Sequence, residues 1–219
     1  MSQSKKRKGS GPRAKANPQI PISSIHGTLA VPEVHSPYLD GARDYPIYGC
    51  WIMEGWQNMG ITPVIVARLQ DNDRILFGNY MVDFYCLGIK DVYTRANYAR
   101  ERFENALPEL CNGTPVPCSV ELAHELIYGA LEYAKELGFD PHPDFYNMKA
   151  DQILDPPDAH PRDNGLEFGL DGVPFYVAGP YDSETKKMSI LNTLERTCGP
   201  GNYDFLAGAE DLSGDWGED

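Results

Sequence analysis

The segment Val82–Asp91 concentrates side chains that can do chemistry: VDFYCLGIKD. Asp83 lies in an apolar, strand-like stretch, where a carboxylate needs a partner or a raised pKa. Together with Asp91 it can hold Mg²⁺, as metal-dependent nucleases require. Alternatively, Cys86 near Lys90 can be an activated thiolate. In a purely structural role, Asp83 pairs with a base or with backbone amides, Cys86 packs in the core and Asp91 caps a helix.

His124 begins a stretch that almost matches the zinc-binding motif HExxH: His124-Glu125-Leu126-Ile127-Tyr128. The motif requires a second histidine four residues later, and Tyr128 occupies that place. One histidine on a helix face does not suffice for zinc, so the sequence predicts no zinc site here, and no metal-binding residue or cofactor is assigned to the chain. His124 is then either a catalytic residue that acts with Asp83 and Cys86, or a histidine packed at the edge of an apolar helix stripe.

Arg95, Tyr98 and Arg102 fall on one side of a predicted helix. In that arrangement the two arginines can hold phosphates, with Tyr98 as a stacking surface. They can instead pair with the glutamates on the acidic face of the next helix, and the local acidity favours this pairing. Exposed ion pairs of that kind contribute only about 0–1 kcal/mol each.

Residues 1–20 form a basic arm with six cationic and no acidic residues: Lys5, Lys6, Arg7, Lys8, Arg13 and Lys15. Because the whole chain has a net charge of −13, residues 21–219 carry −19. A flexible basic arm can bind phosphates with an affinity that falls steeply with salt, whereas the acidic body repels nucleic acid. The arm is therefore either the means of contacting nucleic acid or a counter-charge to the body.

The cysteine pattern and the hydropathy of the chain predict a cytoplasmic protein. Five cysteines without a CxxC pair do not form the disulfide framework of a small secreted protein. The basic start is followed by Gly, Ser and Pro, which excludes a secretory signal, and no apolar run approaches the length of a membrane span. In a eukaryote, residues 5–8 would also suit a nuclear import signal.

The pattern along the chain predicts a disordered arm over 1–20, an extended lead-in over 21–45, one globular domain over 46–208 and an acidic tail over 209–219. Within the domain, the predicted elements are strands at 47–53, 62–69 and 74–85, helices at 91–107, 119–137 and 143–154, a hairpin over 166–178, a helix that begins at 182 or 183, and a strand at 203–206. This order, βββ-ααα-ββ-α-β, indicates an α+β fold with a largely antiparallel sheet covered by helices on one face.

Two stretches resemble a group of uncharacterised bacterial proteins of similar length: the pattern VDxxCLG[VI]K at Val82–Lys90, and a second stretch that runs from Leu137 through Pro174–Val177 to the Gly179-Pro180-Tyr181-Asp182 sequence. The resemblance covers about residues 45–206. It implies a bacterial cytoplasmic setting and assigns no functional residue.

Two hypotheses follow from these features. The first is an accessory interaction protein, whose acidic domain docks on a protein or ribonucleoprotein partner while the arm contacts phosphates, without a membrane. The second is a hydrolase, for example a metal-dependent nuclease, that uses Asp83, Asp91 and His124.

Overall fold

The computed structural model describes residues 39–206. The predicted arm over 1–20, part of the lead-in and the acidic tail lie outside the described residues. Five strands form an antiparallel sheet in the order β4-β3-β2-β1-β5. Their bounds are β1 Ile47–Met53, β2 Ile61–Gln70, β3 Arg74–Asp83, β4 Gly88–Ala99 and β5 Pro115–Cys118. The predicted α+β class and the meander of the first three strands are confirmed.

The α-helices follow the fourth strand. In the described part of the chain there are four of them: α1 Arg100–Leu110, α2 Val120–Glu136, α3 Asp144–Asn147 and α4 Glu184–Cys198. Two further strands, β6 Phe175–Val177 and β7 Asp204–Leu206, pair in parallel. No helix within residues 39–206 has the length and apolar character needed to cross a bilayer.

Both faces of the sheet are covered, which differs from the predicted one-sided arrangement. Successive side chains of a strand point to opposite faces, and the apolar run of β2 divides accordingly. Val64 and Val66 pack in the cluster that includes Leu126 of α2. Ile65 and Ala67 pack in a separate cluster with Phe103 of α1. An uninterrupted apolar run is what a strand buried on both faces requires.

The helix predicted over 91–107 is wrong for its first half, because residues 91–99 belong to β4. This strand pairs with β3 over almost its whole length. The ladder satisfies the backbone groups of both strands, and this long-range pairing outweighs the helical spacing of the apolar residues. Asp91 therefore caps no helix; its Oδ1 accepts the backbone N–H of Val92 at 2.8 Å.

Helix α2 follows its prediction closely because its end signals are local. The Ser119 hydroxyl accepts the backbone N–H of Leu122 at 3.1 Å, as an N-cap does. After the helix, Gly138 has a φ of +91°, a conformation that favours glycine. In between, the apolar stripe of α2 lies across the sheet and is buried against it.

The C-terminal third differs from prediction in its pairing. The third predicted helix is reduced to α3 and a 3₁₀ turn, Ala150–Gln152, because Lys149 has a φ of +52° between them. The predicted hairpin is only one bridge, Leu170 to Val173, and β6 pairs with β7 instead. The predicted loop over 111–118 contains β5, which pairs with β1.

Candidate functional site

Asp83 organises the turn between β3 and β4. Its Oδ1 accepts the backbone N–H of Cys86 at 2.9 Å and of Tyr85 at 3.2 Å. On the other oxygen, Lys90 Nζ lies 3.7 Å from Oδ2. Burial raises the pKa of Asp83, and Lys90 and the backbone N–H groups oppose that rise. These contacts match the structural role foreseen for Asp83, a carboxylate held by a base and by backbone amides.

Cys86 lies beneath this turn and is fully buried. It packs with Leu137 at the end of α2 and with Ile190 and Leu194 of α4. Burial raises the pKa of the Cys86 thiol, and this effect exceeds the lowering by Lys90. The environment therefore favours a neutral thiol over an activated thiolate.

Asp182 belongs to the second of the two stretches that resemble bacterial proteins, and it lies near Lys90 of the first stretch. Its Oδ2 accepts hydrogen bonds from the Tyr176 hydroxyl at 2.9 Å and from the backbone N–H of Gly179 at 2.8 Å. Burial alone would raise the pKa of Asp182, but the hydrogen bonds from Lys186, Gly179 and Tyr176 and the charge of Lys90 outweigh it, so that pKa is lowered. Lys90 thus acts on two carboxylates, Asp83 and Asp182. The cap of α4 is Ser183, which accepts the backbone N–H of Lys186.

His124 lies in a different place, on α2 against the proline-rich loop over residues 155–164. Only 2% of it is exposed, and burial lowers its pKa, so the ring is neutral at neutral pH. Nε2 lies 2.8 Å from the carbonyl oxygen of Pro156, which can only accept, so Nε2 carries the proton. Nδ1 then holds a buried lone pair, without a hydrogen-bond partner among residues 39–206.

A second histidine does lie beside His124, although not where the HExxH motif would place it. The ring of His160, from the loop, is 4.9 Å from the ring of His124, centroid to centroid. Tyr128, at the motif's second histidine position, donates its hydroxyl to the carbonyl oxygen of Asp155. Within residues 39–206, no three His, Cys, Asp or Glu side chains are arranged to hold a metal ion.

The loop is held by a polar network centred on Arg68, which the sequence analysis did not single out. Arg68 is 2% exposed and donates to the carbonyl oxygens of Tyr45 and Ile153, each at 2.7 Å. It also binds Asp155 Oδ1 at 2.6 Å, and the other oxygen of Asp155 lies 2.8 Å from His160 Nε2. The sequence feature that could have identified Arg68 is an arginine near the end of an apolar strand.

The ion pairs and hydrogen bonds of this network, which we call the Arg68 network, fix the loop to the sheet. Burial alone would raise the pKa of Asp155, but the hydrogen bonds from His160 and Arg68 outweigh it, and the pKa is lowered. The second nitrogen of His160 lies 4.0 Å from a carboxylate oxygen of Glu121. Because both nitrogens of His160 face carboxylates, the ring bridges charges and neither nitrogen is directed at a substrate.

Arg95, Tyr98 and Arg102 do come together, but on the strand–helix junction and not along one helix. The guanidinium carbons of Arg95 and Arg102 lie 5.8 and 5.5 Å from the centroid of the Tyr98 ring. Within residues 39–206, neither arginine has a carboxylate oxygen within 4.0 Å. We call these three residues the Arg–Tyr–Arg stack.

The pairing predicted between these arginines and the glutamates of the next helix is wrong. Helix α2 packs on the opposite face of the sheet from α1, so its acidic face is directed elsewhere. Glu132 binds Arg162, and Glu125 accepts hydrogen bonds from Asn164. The stack is therefore left with cationic groups that no carboxylate of the described chain neutralises.

The structure does not gather the candidate catalytic residues into one site. Asp83 and Cys86 belong to the β3–β4 turn, Asp91 to the edge strand β4, opposite Met81, and His124 to the loop contact of α2. No protein-family model, curated protein sequence or solved structure matches this chain. The resemblance to uncharacterised bacterial proteins stays a prediction.

The role of Asp83 can be tested by two substitutions. Asp83→Ala is expected to lower the free energy of unfolding by about 1–3 kcal/mol, because the buried N–H of Cys86 and the partly buried N–H of Tyr85 lose their acceptor. Asp83→Asn retains an acceptor oxygen and is expected to cost less than about 1 kcal/mol. Urea denaturation measures both. If the two variants were equally unstable, the carboxylate charge, and not its hydrogen-bonding oxygen, would hold the turn.

Proposed function

We propose that this protein is an accessory binding protein, which docks on a ribonucleoprotein and contacts its RNA phosphates. The basic arm supplies part of those contacts and the Arg–Tyr–Arg stack supplies the rest, while the acidic body faces protein. The stack is the observation that supports this proposal best.

The stack has the properties of a phosphate-binding surface. A tyrosine ring attracts a guanidinium placed over it, which limits the rotation of the arginine while its N–H donors still point outward. Arginine recognises phosphate through two parallel hydrogen bonds, and its flat guanidinium also stacks on bases. Most other cationic groups of the described domain are neutralised, as Arg100 is by Asp73 and Lys149 by Asp40.

The charge of the rest of the chain explains why both elements are needed. Residues 21–219 have a net charge of −19, so long-range electrostatics oppose the approach of RNA. The arm provides six cationic groups that are not part of that body. The stack provides a phosphate contact at a fixed position on the domain, and the arm provides a second contact. Together these contacts offset the repulsion between RNA and the acidic body.

The hydrolase alternative rests on His124, because its ring is neutral and its Nδ1 has no hydrogen-bond partner within residues 39–206, as suits a general base. Against it, His124 contacts Pro156, Tyr128 and His160, whereas Asp83 contacts the turn residues and Lys90. These two sets of contacts share no residue, so a reaction that needs Asp83 and His124 together has less support than binding.

Binding to a labelled single-stranded RNA, followed by fluorescence anisotropy at two KCl concentrations, tests the proposal. The double variant Arg95→Ala/Arg102→Ala is expected to bind at least about tenfold more weakly, because two charge-assisted contacts are lost. Deletion of residues 1–20 is expected to make the slope of log K against log salt less negative by up to about 4, if all six cations contact phosphates.

A matched control removes the same charge elsewhere. Lys135→Ala/Arg196→Ala takes away two exposed cations that lie on α2 and α4, far along the chain from the stack. This control is expected to bind RNA within about twofold of the unchanged protein, since only the general charge differs. Equal and negligible binding by all four proteins would refute the nucleic-acid contact.

A further inference from the structure

Two cysteines face each other across the edge of the main sheet. Cys50 of β1 and Cys118 of β5 are direct partners in the antiparallel register, and both thiols are free. Both side chains belong to the same face, because Cys50 lies in the core cluster beneath α2 and Cys118 packs against that cluster. The third nearby cysteine, Cys111, packs in the cluster on the opposite face, with Phe103 and Leu107.

The register also indicates their separation. The backbone N–H of Glu54 donates to the carbonyl oxygen of Thr114, so 114, 116 and 118 occupy the hydrogen-bonded positions of this pair of strands. Directly opposed residues at such positions have Cα atoms about 5.5 Å apart, which lies at the commonest Cα separation for disulfide-bonded cysteines. We infer that Cys50 and Cys118 are a redox modification site, which closes to a cross-strand disulfide.

Strand β5 makes one of the two thiols reachable. It has only four residues and lies at the edge of the sheet, paired with β1 alone. Pro115 and Pro117 occupy the outward-facing positions, where a missing N–H costs no bond to β1. As a short strand paired on one side only, β5 opens more readily than the central strands. Cys118 is partly exposed, whereas Cys50 is 2% exposed, so an oxidant meets Cys118 first.

The oxidant class that fits is a small disulfide such as oxidised glutathione. The Cys118 thiolate attacks one sulfur of the oxidant, which forms a mixed disulfide and releases one small thiol. The Cys50 thiolate then attacks Cys118 Sγ, which forms the protein disulfide and releases the second small thiol. Two electrons pass from the protein to the oxidant, and the protons of the two cysteines end on the two released thiols.

Closure would affect more than the two strands. Cys118 directly precedes Ser119, the cap of α2. Glu121, in the first turn of α2, faces His160 of the Arg68 network. A disulfide would tie this end of α2 to β1 through a bond that unfolding of β5 cannot break. The site is independent of the Arg–Tyr–Arg stack, which lies on the other face of the sheet, so its test does not depend on RNA binding.

The exchange is expected to be slow at neutral pH and to accelerate in alkali. Burial raises the pKa of Cys50 and of Cys118 to about 12. Far below that pKa, the thiolate fraction increases about tenfold per pH unit. The rate of disulfide formation should therefore rise about tenfold from pH 7.5 to pH 8.5.

Intact mass spectrometry of the full chain, incubated with oxidised glutathione, tests the inference. The expected product is about 2 Da lighter than the reduced protein, and its tryptic peptides 44–68 and 103–135 are linked. Because the second peptide also contains Cys111, fragmentation before Pro115 and Pro117 must locate the bond, and Cys111→Ala provides a second check.

The variants distinguish the two steps. Cys50→Ala should stop at the mixed disulfide on Cys118, about 305 Da heavier, whereas Cys118→Ala should form neither the adduct there nor the cross-strand bond. A stable mixed disulfide on Cys118 in the unchanged protein, or a bond from Cys118 to Cys111, would overturn the inference. So would a protein whose Cys50 and Cys118 both remain reduced at pH 8.5 while an unfolded control is oxidised.

Discussion

Replacement of Arg68 by alanine is expected to lower the free energy of unfolding by about 3–4 kcal/mol. The variant leaves the carbonyl oxygens of Tyr45 and Ile153 without their donor, and each such loss costs about 1 kcal/mol. Asp155 loses its charged partner as well, although it is partly exposed and water offsets some of that cost. Urea denaturation gives the difference directly.

Arg100 provides the matched control. It forms ion pairs with Asp73 and Glu104, but these side chains are exposed. Arg100→Ala is therefore expected to cost less than about 1 kcal/mol. Similar losses in the Arg68 and Arg100 variants would mean that the buried network does not hold the loop.

The effect of Arg68→Ala should also depend on pH. The pKa of Asp155 in the folded protein lies below its ordinary value of 3.8. Its ionised form therefore stabilises the fold above pH 3.8, and that stabilisation is lost as the pH falls through the lowered pKa. Arg68 supplies part of this stabilisation. The difference in the free energy of unfolding between the unchanged protein and the Arg68→Ala variant should therefore shrink as the pH falls below 3.8.

Gly88→Ala is expected to cost about 2–5 kcal/mol, for two separate reasons. Gly88 has a φ of +68°, which is unfavourable for alanine by about 1–2 kcal/mol. An added Cβ would also lie 2.8 Å from the Cβ of Ala134 and 3.0 Å from the carbonyl oxygen of Ala130, and overpacking of this kind costs about 1–3 kcal/mol. Helix α2 and the β3–β4 turn could not both keep their positions.

Gly55 separates the two causes. Its φ is +73°, but nothing lies within 4 Å of an added Cβ. Gly55→Ala should therefore cost only the conformational part, about 1–2 kcal/mol. If thermal or urea denaturation showed equal losses of stability for the two alanine variants, the close approach of the turn to α2 would not contribute to the cost of Gly88→Ala.

The site residues show how far sequence reasoning reaches. The buried role of Asp83 follows from a carboxylate in an apolar strand, and its contacts with the turn and Lys90 agree. The mutual proximity of Arg95, Tyr98 and Arg102 was predicted from helical spacing, but it arises at the junction of β4 and α1. Their freedom from the glutamates of α2 does not, because it depends on which face of the sheet each helix covers.

Contacts between distant segments were beyond sequence reasoning altogether. His124 meets His160, and Arg68 meets Asp155, across loops whose path no local pattern specifies. Likewise, Cys50 faces Cys118 only because β5 joins β1 in this register. A shift of one residue would direct one of the two thiols to the opposite face.

The sequence by itself determined the elements whose signals are local: β1 to β3, the capped helix α2 and the start of α4 at Ser183. Only the tertiary structure decided the state of residues 91–99, which carry a helical spacing of apolar residues and yet form β4. Pairing with β3 satisfies the backbone of both strands, and the free energy of that ladder exceeds the weak local preference for a helix. In the same structure α1 lies across the sheet from α2, which keeps the Arg–Tyr–Arg stack, on which the proposed function rests, away from the glutamates of α2.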